Sequence, residues 1–321
     1  MERIRIDYLR LSLTDRCNLD CIYCNPLQRN KFLNRNEVLS YEEMAKAASL
    51  FVKAGVRNLR LTGGEPLLKK DIVHLLKMLK GINGLDDISM TTNGILLNRM
   101  AGDLKQAGLD RVNISIDTLK RKRFAQITGS DHLEEVLNGI KMAEKVRLDP
   151  VKLNVILMKG INDDELPDFI RLAIKHTLIV RFIEFFPTNK RSLRLRGLLI
   201  NNTDVKERIA SGFGKLEKVY GIKGNGPAEY YRLGNSKGLI GFISSASENF
   251  CNGCNRIRMD CAGRIRPCLF SDYSHDMKPL LREPNNGEAS LKFIREIFKA
   301  KSEYRRSNVP DGQLEMSSIG G

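Results

Sequence analysis

Tryptophan is missing from the 321 residues, and tyrosine and phenylalanine bring the aromatic share to only 7%. With so few stacking platforms, and basic residues spread along the chain instead of gathered in a stripe, no nucleic-acid partner is expected. Apolar runs are short as well. None reaches the roughly 18 residues that a membrane helix needs, and no charged-then-apolar leader opens the sequence, so a cytoplasmic chain without membrane contact is expected. Histidine is scarce at four residues, and none lies among the clustered cysteines. Internal repeats and low-complexity segments are also lacking. The seven cysteines fall in metal-ligand groups, not in the scattered pattern of a disulfide framework, which suits a reducing compartment. What is present in excess is positive charge, with 53 basic against 38 acidic residues and a net charge of +15. That balance favours an anionic partner, although nucleic acid, a nucleotide polyphosphate or solubility would each account for it.

Cys17, Cys21 and Cys24 are spaced Cys-x3-Cys-x2-Cys. An ordinary 4Fe-4S electron carrier is closed by four thiolates, so three leave one iron free to hold a small molecule. Structural zinc normally takes four ligands, which makes zinc the weaker reading. The residues from Thr14 to Asn25 read as a polar loop around the thiols. Further on, Gly63-Gly64-Glu65-Pro66 follows a strand-like run from Asn58 to Leu61. Its glycines allow close backbone approach, and Glu65 can accept a bond from an ammonium group.

The triad and the glycine turn together resemble the radical S-adenosylmethionine superfamily. The resemblance implies a 4Fe-4S cluster whose free iron chelates S-adenosylmethionine, with electron transfer releasing a 5′-deoxyadenosyl radical.

Short apolar or β-rich runs alternate with amphipathic ones. Strands are expected at Tyr8 to Leu13, Asn58 to Leu61, Ile88 to Thr91, Val112 to Ile116, Leu153 to Leu157 and Ile179 to Phe185. Helices are expected at Tyr41 to Lys53, Asp71 to Lys80, Asn98 to Ala107, Leu133 to Val146 and Glu165 to Lys175. This alternation predicts an α/β fold, a partial (β/α)6 TIM-like barrel open at one side, with a smaller C-terminal iron-sulfur domain. The ligand site belongs at the carboxyl ends of the strands, where Thr62, Thr91 and Ser115 fall. Arg10, Lys152 and Arg181 lie within strands, and charge buried there needs a partner; an anionic ligand is the obvious one.

After Pro187 the pattern changes to a basic stretch, a capped helix start near Thr203 and short strands such as Glu229 to Leu233 and Leu239 to Ile243. The expected organisation is a barrel over 1–186, an auxiliary-cluster and substrate domain over 187–308 and a flexible tail over 309–321. Cys251, Cys254 and Cys268 make a second set of three thiols. Cys261 between them sits on an apparent hairpin turn, and it is either a free thiol or a fourth ligand that would close the cluster. A four-cysteine zinc knuckle is the competing reading of this region.

Two incomplete clusters, the sequence from Phe250 to Arg258 and Arg266-Pro267-Cys268-Leu269-Phe270 make the chain similar to the GTP 3′,8-cyclase family, nearly end to end. That resemblance implies two 4Fe-4S clusters and S-adenosylmethionine as cofactors, with the second cluster's open iron holding guanine. It implies that Tyr23, Gly64, Glu65, Thr91 and Ser115 contact S-adenosylmethionine. Arg10, Arg60, Thr62, Lys152, Arg181, Arg256 and Arg258 would surround GTP, where arginine forks suit phosphate and lysine adds a point charge. The implied reaction removes hydrogen from C3′ of GTP, joins that carbon to C8 of guanine and reduces the product. It also implies an electron donor, a downstream cyclic pyranopterin monophosphate synthase and room for a homodimer. A terminal Gly-Gly is ordinarily a loose end, but the resemblance carries Gly320 and Gly321 into the active site.

The chain departs from the family at Asn25, Asn58 and Phe186, which puts affinity and pocket shape in question more than reaction class. A peptide-modifying radical enzyme with an auxiliary cluster is the alternative, but it would leave Lys152, Arg181, Arg256 and Arg258 without an evident purpose.

Overall fold

The computed structural model describes residues 5–24, 32–187, 190–224, 226–244, 254–269, 271 and 273–301. Asn25, Cys251, Gly320 and Gly321 lie outside them.

Six strands carry the expected parallel core: β1 (Tyr8–Ser12), β2 (Asn58–Thr62), β3 (Asp87–Thr92), β4 (Arg111–Ser115), β5 (Lys152–Val155) and β6 (Ile179–Ile183). They pair in sequence order, each parallel to the next. Helices α1 (Tyr41–Lys53), α2 (Ile72–Lys80), α3 (Leu97–Gln106), α4 (Arg121–Thr128), α5 (Leu133–Lys145) and α6 (Leu166–Lys175) connect them. The reason α1 forms is plain in its sequence. Ser40 and Glu43 make a capping box, and Met44, Ala47, Ala48 and Phe51 recur at helical spacing to form the buried face. α4, which the sequence reading missed, is basic at Arg121, Lys122 and Arg123 and buries only Phe124, Ile127 and Thr128.

Past residue 187 lie α7 (Lys190–Leu193), α8 (Asn202–Phe213), β7 (Leu216–Val219), β8 (Glu229–Leu233), β9 (Leu239–Ile243), β10 (Arg256–Met259), β11 (Arg264–Arg266), β12 (His275–Asp276), α9 (Lys278–Arg282) and α10 (Gly287–Ala300). These strands continue the same sheet. The order among the described residues is β12-β11-β10-β1-β2-β3-β4-β5-β6-β9-β8-β7. β10 runs parallel to β1 and β9 parallel to β6, so eight parallel strands form the middle. Antiparallel β11 and β12 lie beyond β10, and β8 and β7 beyond β9. β12 and β7 do not pair with each other, and the barrel is open, as expected.

Alternation along each strand sorts side chains between two faces. In β1, Leu9 and Leu11 enter the core shared with the helices, while Tyr8 and Arg10 face an internal cavity. The same period places Arg60 and Thr62, Arg181 and Ile183, and Arg256 and Arg258 on that cavity. Among the described residues no helix is long and apolar enough to cross a membrane.

Candidate functional site

The thiols of Cys17, Cys21 and Cys24 line a cavity of about 320 Å³ at the carboxyl ends of the strands. Their loop is held by main-chain bonds from two sides. Gly64 N–H donates to Thr14 O and Glu65 N–H to Arg16 O, both at 2.8 Å. On the other side, Asp20 N–H donates to Thr128 O and Ile22 N–H to Ile127 O, both at 2.9 Å, so the end of α4 anchors the cysteines. Burial pushes the Cys17 thiol up to about 11 and raises the Cys21 thiol well above its ordinary value. The Tyr23 hydroxyl donates to Asp117 Oδ2 at 2.5 Å, and both residues line the cavity. Asp117 Oδ1 in turn accepts from Ile156 N–H at 2.8 Å.

The glycine turn meets the cysteine loop directly. A β-carbon on Gly64 would stand 2.1 Å from Arg16 O, and one on Gly63, at φ +145°, would stand 2.5 Å from Thr14 O. Glu65 differs from expectation. Its buried carboxylate accepts from Leu67 N–H at 3.0 Å, Thr92 Oγ1 at 2.8 Å and Asn93 N–H at 2.7 Å. These in-chain donors occupy the group the sequence offered to an ammonium, and Glu65 is not part of the cavity wall. Burial pushes it up to about 7 despite those donors. Gly63, Gly64, Thr91 and Ser115 do face the cavity. The buried Thr91 hydroxyl finds no partner among the described residues, as suits a wall waiting for a polar ligand.

Cations lie deeper along the strands. Arg10 of β1 stands in register between Arg60 of β2 and Arg258 of β10, so three guanidiniums cross three neighbouring strands in one row. Arg181 of β6 adds a fourth, donating to Asn113 Oδ1 at 3.0 Å and to Asn154 Oδ1. All four are buried and line the cavity, which Arg256 also reaches. Burial pushes Arg60 down to about 10, and burial with neighbouring Arg256 does the same to Arg258. Both remain charged at neutral pH. The nearby buried ion pair of Arg111 with Asp87, closed by bonds of 2.9 and 2.6 Å, supplies a single carboxylate beside this set.

Lys152 is also buried but does not line the cavity. Its ammonium is turned to Lys223 O at 2.6 Å and to the Tyr230 hydroxyl at 3.1 Å. Burial, followed by Arg181, Arg111 and Arg60, pushes it down to about 6. Its register partner on β4, Asn113, bridges to Arg181, so Lys152 stands behind the cation wall.

Of the second thiol set, Cys254 and Cys268 are half-buried and free of disulfides. Against burial, Arg256 and then Lys301 bring Cys254 down to about 7. Arg256 Nε donates to its sulfur at 3.4 Å. Cys261 is 1% exposed within the apolar core, on the expected β10–β11 turn and away from the cavity wall. The sequence reading placed Asn93, Asp117 and Asn154 among the polar residues of the barrel strands without giving them a role, and the cavity includes all three; it missed Tyr8, for which the sequence carries no signal.

The Radical SAM superfamily model matches residues 11–173, and the Molybdenum Cofactor Synthesis C model matches 178–307. A protein of Thermodesulfovibrio yellowstonii named GTP 3′,8-cyclase is 44% identical over 321 residues, 98% of each chain. One of Heliobacterium modesticaldum with the same name is 41% identical over 320 residues, also 98% of each. Among solved structures, Streptococcus suis SuiB bound to S-adenosylmethionine superposes with a TM-score of 0.63 at 14% identity, covering 91% of this chain and 68% of that one. At that identity the likeness shows the fold alone.

Proposed function

The chain belongs to the GTP 3′,8-cyclase family of the radical S-adenosylmethionine superfamily, and on that premise we propose that it converts GTP to (8S)-3′,8-cyclo-7,8-dihydroguanosine 5′-triphosphate, the first step of molybdenum cofactor biosynthesis. The observation that carries this reading is the row of buried guanidiniums in the same cavity as the cysteine triad. Several guanidiniums facing one space suit a polyanion, whose oxygens their forks can bind. The membership sets aside the peptide-modifying alternative.

Cys17, Cys21 and Cys24 would hold a 4Fe-4S cluster, and the cluster with S-adenosylmethionine supplies, when bound, the radical that takes a hydrogen atom from C3′ of GTP. Tyr23, Gly64, Thr91 and Ser115 border the space for S-adenosylmethionine, with Thr91 offering its buried hydroxyl. Glu65 acts on that space only by fixing Asn93 and Thr92. Arg10, Arg60, Arg181, Arg256 and Arg258 clamp the triphosphate, and Thr62 closes the wall above Arg60. Lys152, behind Arg181, adds its charge once a bound triphosphate restores its proton. By the same family reading Cys254 and Cys268, with Cys251 outside the described residues, would hold a second 4Fe-4S cluster able to take the guanine, while Cys261 stays in the core. The family reading also assigns Gly320 and Gly321, which lie outside the described residues, to the active site. The wider expectations stand with this reading: a barrel unit over 1–186, a C-terminal unit over 187–308, a cytoplasmic setting, an electron donor, a homodimer and a downstream cyclic pyranopterin monophosphate synthase.

The test is anaerobic reconstitution with iron and sulfide, followed by S-adenosylmethionine and dithionite, with 5′-deoxyadenosine measured by mass spectrometry with and without GTP. GTP-dependent release with a product isomeric with GTP is expected. Release indifferent to GTP, or none from chain carrying both clusters, would overturn the reading.

A further inference from the structure

Lys301 follows directly on the last residue of α10 and is buried, 8% exposed. Its ammonium donates to Arg256 O, to Pro267 O at 3.1 Å and to Cys254 Sγ at 3.7 Å. The ionisable groups around it are Cys254, Cys268 and Arg256. A buried ammonium is costly unless an anion compensates it, and the anions this surrounding can supply are thiolates.

The three bonds also tie together two separate stretches of chain. Arg256 begins β10, two residues beyond Cys254, and Pro267 immediately precedes Cys268. The lysine is itself placed firmly, because α10 packs on α1 and Phe298 stacks on Phe51 with ring centroids 6.1 Å apart.

Resting on the reading that Cys251, Cys254 and Cys268 hold a second cluster, we propose that Lys301 is a positioning residue for it. It fixes the Cys254 and Cys268 segments at their working separation and donates a charged hydrogen bond to the Cys254 sulfur. Hydrogen bonds to ligating sulfur and nearby net charge set iron-sulfur potentials, and a cationic donor favours the reduced cluster. Lys301 thus makes the second cluster easier to reduce than three thiolates alone would.

The test uses the full chain with Cys17, Cys21 and Cys24 replaced by alanine, so that bound iron and the electron paramagnetic resonance signal report the second set alone. In this background Lys301→Met, Lys301→Gln and Lys301→Arg are compared by iron content and by redox titration. The expected midpoint potential is most negative in K301M, intermediate in K301Q and close to the parent in K301R. If K301M fails to retain iron, K301Q against K301R decides by the same order. Equal potentials in the iron-bearing variants would overturn the proposal, since packing of α10 alone would lower the melting temperature without moving the potential. A parent chain that takes up no iron would overturn the second-cluster reading itself.

Discussion

At Gly64 the nearest atom to an added β-carbon is a main-chain oxygen, Arg16 O, which cannot swing aside as a side chain would. The glycine is therefore needed to bring the strand-to-helix turn against the cysteine loop, independently of any ligand it also faces. Gly64→Ala should cost about 1–3 kcal/mol of stability and, by displacing the loop, lower the iron retained by the triad. Denaturant titration and iron analysis of the reconstituted variant would show this, and full retention would contradict it. The neighbouring Glu65→Gln acts differently. It turns an amide N–H toward positions now occupied by N–H and O–H donors, and it should cost about 1–3 kcal/mol in the metal-free chain. An unchanged denaturation midpoint would show that those bonds contribute nothing.

Among the elements, period and composition made the six barrel strands and five of their helices legible almost to the residue. α1 was bounded as found, because capping box and apolar spacing agree there. Of the elements the sequence reading did not name, two were hidden for definite reasons. The charged first turn of α4 masks its three buried residues, and β10 alternates arginine with apolar residues, so Arg256 and Arg258 read as flanking charges of a cluster and not as the cavity face of a strand. Lys152 and Arg181 were recognised as buried cations from their place in strands, but only the fold reveals that one faces the cavity while the other is turned to Lys223 O. Because β10 and β9 cover β1 and β6, a chain ending at 187 would expose both edges of the six-stranded core. Such a fragment should lose soluble expression or resistance to proteolysis relative to the full chain. A fragment as protected as the parent would show that the core stands without its flanking strands.

For the whole molecule, the concentration of buried cations couples ligand binding to pH. Lys152 is pushed from an ordinary 10.5 down to about 6, so behind the cation wall it is neutral at pH 8. A triphosphate nearby raises it again, and binding should take up as much as one proton between pH 6 and 10.5. Unfolding also restores the ordinary value, so the unfolded chain binds the extra proton and this group's contribution makes the fold more stable as pH rises through that window. Calorimetry of GTP binding at pH 8 in two buffers of different ionisation enthalpy should give different heats, and Lys152→Met should abolish the difference. Equal heats in the parent would contradict the linkage. The pairing of β10 with β1 has a further consequence, one of time. Arg258 is made about 250 residues after Arg10, and at the roughly 5–20 residues per second of protein synthesis the first strand waits about 12–50 s for the neighbour that completes its row of arginines. During that interval the nascent barrel presents a bare, parallel-pairing edge, which makes its emergence from the ribosome the stage at which this protein most needs protection from misassembly.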